Sequence, residues 1–137
     1  MVQRASAASS YGQLHSRLVV PGGGKRVVLV VDDEPAIRLL CRVNLELAGY
    51  EVLEAATLDQ ARARLGEGSV DVVLLDMHVG RERGDTLLRE LKELGTPVAA
   101  VTGSTDIASL RGIADAVLPK PFTIDDLEAT VARLADR

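Results

Sequence analysis

Val72 Val73 Leu74 Leu75 Asp76 is a run of four apolar residues that ends on a carboxylate, and Val27 Val28 Leu29 Val30 Val31 followed by Asp32 Asp33 repeats the shape. Strands apolar on both faces belong to parallel sheets covered by helices, and in open sheets of that kind ligands sit beyond the carboxyl ends of the strands. The two runs together predict three carboxylates at one rim.

Outward from these runs, strand and helix patterns alternate from Lys25 to the end of the chain. Pro35 suits a first helical turn, and Ile37, Leu40, Cys41, Leu45 and Ala48 recur at helical spacing until Gly49. Tyr50 to Ala55 reads as a second strand. Thr57 and Gln60 have capping-box spacing and open a helix with Leu58, Ala61 and Leu65 on its buried face, closed by Gly66 and Gly68. Beyond Asp76 comes a polar loop, His78 to Gly84, then a helix carrying Leu87, Leu88, Leu91 and Leu94 before Gly95. Pro97 to Val101 is the fourth strand, with Thr102 at its end. A short helix around Asp106 to Arg111, a fifth strand near Ala116 to Leu118 and a Thr123-capped helix with Ile124, Leu127, Val131 and Leu134 inward complete the count. Five βα units with right-handed crossovers make a doubly wound α/β fold around a five-stranded parallel sheet.

The remainder of the chain excludes more than it adds. Residues 1 to 24, rich in Ala, Ser and Gly and without periodicity, read as a disordered leader or linker, with the folded domain at 25 to 137. Pro21 Gly22 Gly23 Gly24 Lys25 does not qualify as a phosphate-binding loop, because a strand follows and no Ser or Thr comes after the lysine. His15 lies in this leader without a structured surround. Of the net charge of -4, the leader contributes only Arg4 and Arg17, so the domain holds 14 basic against 20 acidic residues. With Tyr11, Tyr50 and Phe122 as its only aromatics, the chain offers neither a basic stripe nor a stacking platform for nucleic acid. No apolar run reaches the roughly 20 residues of a membrane helix, and no signal-peptide pattern opens the chain, so a cytoplasmic address is expected. Cys41 is alone and falls on an apolar helical stripe, which makes it a buried small hydrophobe.

Three carboxylates at one rim repel by several kcal/mol at an effective dielectric near 20, so they either bind a cation or take up protons more readily. Magnesium prefers oxygen ligands and is commonly shared between one or two carboxylates and a phosphate. Lys120, in Leu118 Pro119 Lys120 Pro121 Phe122, adds a positive charge after the fifth strand, and Thr102 adds a hydroxyl. Singly each residue has an ordinary structural role: Asp caps helices, Lys is solvated, Thr ends strands. Their joint placement at the ends of four strands is the informative feature.

In this order Val31 Asp32 Asp33 Glu34 Pro35, then Leu74 Leu75 Asp76 with Gly84 eight positions on, then Val101 Thr102, then Lys120 Pro121 Phe122, the chain resembles the receiver domains of two-component response regulators. The resemblance implies a flavodoxin-like (β/α)5 fold with strand order 2-1-3-4-5. It implies that Asp76 is the phosphoacceptor, and that Asp33, Asp76 and the backbone carbonyl of His78 ligate Mg2+. Asp32 would hold the ion through water, Lys120 would pair with acceptor and phosphoryl group, and Thr102 would bond the phosphoryl oxygen. A cis bond between Lys120 and Pro121 is implied as well. The partner would be a histidine kinase or phosphotransfer protein. The domain would be a self-modifying signalling module, monomeric or weakly dimeric, not a turnover enzyme.

Departures from the family pattern are specific. Val79 Gly80 replaces the family's Met-Pro pair, predicting a looser loop, and Val117 stands where an aromatic ring would swing with Thr102. The interval from Thr102 to Lys120 is about one helical turn short, predicting a truncated fourth helix. His78 stands two residues after the acceptor, where side chains influence phosphoryl lifetime. Two other readings compete. A haloacid-dehalogenase-like phosphatase would place a second Asp where this chain has His78; a degenerate receiver would act only as a protein-binding module. The domain would be a stand-alone receiver or the receiver end of a larger kinase.

Overall fold

The computed structural model describes residues 24–103 and 107–136. The expectations about the leader, His15 and Asp106 fall outside these residues. Twelve elements follow in order: β1 Val27–Val31, α1 Pro35–Leu47, β2 Glu51–Ala55, α2 Leu58–Glu67, β3 Val72–Asp76, β4 His78–Val79, β5 Glu82–Arg83, α3 Asp85–Leu94, β6 Val98–Thr102, α4 Ile107–Leu110, β7 Ala116–Pro119 and α5 Ile124–Ala135.

Five strands pair in parallel in the order β2-β1-β3-β6-β7, which is the expected 2-1-3-4-5 once the two short strands β4 and β5 are set aside. β3 is central, in register with β1 (Val31 opposite Leu75) and with β6 (Asp76 opposite Val101). Alternation along the strands divides the interior in two. Leu29, Val31, Val73, Leu75, Val98 and Ala100 pack against α2, α3 and α4. Val28, Val30, Val72, Leu74, Ala99 and Val101 pack against α1 and α5. Because every residue of β1, β3 and β6 is buried, only helices on both faces can satisfy these strands.

The helix ends follow local chemistry. Thr123 Oγ1 accepts from the Asp126 amide at 3.0 Å and Asp126 accepts from the Thr123 amide at 3.3 Å, a complete capping box. At α2 the cap is displaced: Thr57 Oγ1 accepts from the Gln60 amide, but the Gln60 side chain reaches the Ala56 amide instead. Gly95 closes α3 in the left-handed conformation.

Three expectations are corrected. Leu40 and Leu94, placed on helical stripes, are 39% and 71% exposed, since the inward arcs of their helices are filled by Cys41 and Leu45 and by Leu87, Leu88 and Leu91. Ala48 caps α1 and is exposed. The stretch from His78 to Gly84 is not an irregular loop: β4 and β5 form a small antiparallel hairpin, with His78 opposite Arg83 and Val79 opposite Glu82. Gly80 makes this possible. Its φ of +62° fits a two-residue hairpin turn and is closed to proline. The short fourth helix is present as four residues.

Candidate functional site

Strand ends deliver the acidic groups. Asp32 follows β1 and Asp76 closes β3; both continue the strand positions that face α1 and α5, so their carboxylates converge. Asp32, Asp33 and Asp76 each offer an oxygen, and these atoms all lie within 4.8 Å of one another. Asp32 and Asp76 are buried and Asp33 is exposed. An all-oxygen set of this charge, open on one side, suits a hard divalent cation.

Local hydrogen bonds fix the set. The Glu34 amide donates to Asp32 Oδ1 at 2.9 Å and the His78 amide donates to Asp76 Oδ1 at 3.1 Å. Arg38, unremarked in the sequence, donates from Nη1 to the Asp32 carbonyl at 2.7 Å and from Nε to Glu54 at 3.0 Å, tying the β1–α1 turn to β2. Helical spacing puts Arg38 one turn after Glu34, but its partner Glu54 stands on the next strand, beyond the whole of α1, and gives no local signal.

Lys120 is the balancing charge. Its Nζ lies 3.2 Å from Asp32 Oδ2, 3.5 Å from Asp76 Oδ2 and 3.7 Å from Glu34 Oε1. Burial opposes its charge, but Asp76 and Asp32 outweigh that and hold the ammonium above its ordinary range. Burial also pushes the Asp76 carboxyl upward, the His78 amide opposes this, and Asp32 adds to the rise. The peptide bond from Lys120 to Pro121 is cis, as expected. Thr102 is buried at the end of β6, and its carbonyl accepts from the Lys120 amide at 2.9 Å. Asp33, Glu34, Asp76, His78, Gly103 and Lys120 line one open cleft.

Gly84 closes the site from below. A Cβ there would lie 3.1 Å from the Asp76 carbonyl oxygen and 3.3 Å from the Leu75 side chain, so a larger residue would have to push α3 or its neighbours apart by a few tenths of an ångström. Cys41 is buried beneath the cleft, and burial, then Asp32, push its thiol up to about 11. It is a small buried side chain, as expected. Val117 is half-buried against the α2/α3/α4 side of the core.

The chain matches the response regulator receiver domain over residues 28–132. It is 38% identical over 117 residues to the phosphate regulon transcriptional regulatory protein PhoB of Pseudomonas aeruginosa, covering 80% of this chain and 50% of that protein. It is 36% identical over 122 residues to the sensor kinase CckA of Brucella abortus, covering 83% of this chain and 13% of that one. Among solved structures, the response regulator TrrA of Thermotoga maritima, in complex with Mg2+ and BeF, superposes with a TM-score of 0.72 at 29% identity, covering 80% of this chain and 98% of that one. The chain spans about half the length of the transcriptional regulators it matches.

Proposed function

The chain belongs to the response regulator receiver domain family, and from that premise we propose that Asp76 takes a phosphoryl group from a phosphohistidine of a partner kinase or phosphotransfer protein. The observation that carries this reading is Lys120 Nζ, placed 3.5 Å from Asp76 Oδ2 and 3.2 Å from Asp32 Oδ2 on the open cleft. Membership in the family removes the phosphatase alternative, and the intact acidic set argues against a degenerate module.

The chain's own groups divide the work. Asp76 is the nucleophile, its second oxygen held by the His78 amide so that one carboxylate oxygen points to the cleft. Lys120 offsets the charge that spreads over the transferring oxygens, where stabilisation of phosphoryl transfer chiefly arises. Thr102 is the hydroxyl that answers the phosphoryl group. Asp33, Asp76 and the His78 carbonyl are the groups that would hold Mg2+, with Asp32 acting through water. When bound, the ion supplies further positive charge to the phosphoryl oxygens. The TrrA complex with Mg2+ and BeF supports this assignment by relationship.

Partner approach is favoured along α1. Leu39, Val43 and Leu47 recur every fourth residue on its outer face with Leu40 beside them, exposed by 60%, 46%, 82% and 39%. The stripe runs along the helix that begins right after Asp33 and Glu34, so a helical partner lying on it sits beside the cleft.

The test is labelling with phosphoramidate and Mg2+, read by intact mass. One phosphoryl group is expected on the parent and none on Asp76→Asn. Undiminished labelling of that variant places the acceptor elsewhere.

A further inference from the structure

β2 is an edge strand, paired with β1 on one side only. The Glu51 amide donates to the Arg26 carbonyl at 2.9 Å and the Ala55 carbonyl accepts from the Asp32 amide at 3.0 Å. Residues 51, 53 and 55 therefore turn their backbone groups to β1, and Val52 and Glu54 turn theirs to the open side. Both outward carbonyls are taken by arginine. Arg42 Nη2, from α1 on one face of the sheet, donates to the Val52 carbonyl at 3.0 Å, and Arg64 Nε, from α2 on the other face, donates to the Glu54 carbonyl at 3.3 Å. Acids hold both arginines there: Arg42 Nη1 lies 2.9 Å from Glu54 Oε2 and its Nε 3.5 Å from Glu46 Oε2, while Arg64 Nη1 lies 3.6 Å from Glu67 Oε1.

An open strand edge is a template for another strand, and this one is self-complementary. When two copies meet antiparallel about a two-fold axis at Leu53, Val52 of one faces Glu54 of the other, and each such pair exchanges both N–H···O bonds. Four backbone bonds result, and their four acceptors are the carbonyls that Arg42 and Arg64 engage. We propose that Arg42 and Arg64 guard this edge: by engaging its outward carbonyls from opposite faces, they prevent β2 from pairing with β2 of a second copy of this chain. The guanidinium groups also set like charges where the two copies would meet. Half-exposed ion pairs of this kind contribute little to folding, so the loss of these arginines is felt at the edge rather than in the core. Neither arginine lines the cleft, and the inference stands apart from the acceptor assignment.

The experiment compares the full chain with the double variant Arg42→Ala, Arg64→Ala by sedimentation velocity from micromolar to high micromolar concentration, without phosphodonor or metal. The parent is expected to keep one monomeric coefficient, and the double variant to shift towards a dimer, self-associating at least about tenfold more tightly. Hydrogen exchange reads the mode of pairing: the outward amides of Val52 and Glu54 should slow with concentration in the variant and not in the parent. Adding Leu53→Lys, which sets like charges across the two-fold axis, should return the double variant to monomer. The pair Arg42→Lys, Arg64→Lys, which keeps donors and charge, should stay monomeric. Arg64→Ala alone leaves the Glu54 ion pairs intact and carries the same reading in case circular dichroism shows the double variant to be unfolded. A folded variant that stays monomeric, association that Leu53→Lys does not reverse, association without slowing of the Val52 and Glu54 amides, or a parent that already pairs through β2 overturns the proposal.

Discussion

At the scale of single residues, the site keeps a carboxylate where burial disfavours its charge. A folded-state value raised above the unfolded one means that the folded chain binds this proton more tightly; the resulting stabilisation is present at low pH and is lost as pH rises from the ordinary carboxylate range through the folded value. Ionised Asp76 therefore costs stability at neutral pH in metal-free buffer. Asp76→Asn should melt roughly 2–5 °C higher there, with the gap closing as pH falls through that window. Scanning calorimetry with a chelator present checks this, and a variant less stable than the parent at neutral pH contradicts it. The acidic set was legible in sequence because each member ends or follows an apolar strand. Arg38 and Arg83 were not, since their partners Asp32, Glu54 and His78 are chosen by sheet and hairpin pairing.

At the scale of elements, most of the pattern was readable because apolar runs and helical stripes report burial directly. All five main strands stand within a residue or so of their expected limits. The hairpin escaped notice because two residues per strand are too few for periodicity, and its one signal was Gly80. Leu40 of α1 was misassigned for a related reason: α1 is apolar over more than one face, and spacing alone does not say which face meets the sheet. Substituting Val43 and Leu47 with Asp should leave the fold intact and slow phosphotransfer from a kinase about tenfold or more, the loss of two anchor residues, while labelling by phosphoramidate keeps its rate. Equal slowing of both reactions argues against a docking role. The start of α3 gives a complementary expectation. Gly84→Val would drive side-chain atoms into the Asp76 carbonyl and Leu75, costing about 1–3 kcal/mol in urea denaturation and reducing labelling as the β3 end shifts. A stability equal to the parent's would mean that the α3 start yields freely.

At the scale of the whole molecule, the question is how a change at one rim reaches another protein. α4 is four residues long and Val117 offers no ring, so the face made by α4, β7 and α5 presents little surface against the roughly 800 Å² per partner of a standard interface. Sedimentation velocity from micromolar to high micromolar concentration should give the same monomeric coefficient with and without beryllium fluoride and Mg2+. A ligand-induced dimer broken by substitutions at Ala108 or Arg111 would show that this face does pair. The position of β3 adds a consequence of its own. Its amides and carbonyls are engaged by β1 on one edge and β6 on the other, under helices on both faces. In deuterium these amides should be among the last to exchange, leaving only by global opening, whereas the hairpin and the β1–α1 turn exchange through local fluctuation. The proposed acceptor thus stands at the tip of the strand expected to open last, while the hairpin and turn beside it are expected to open first.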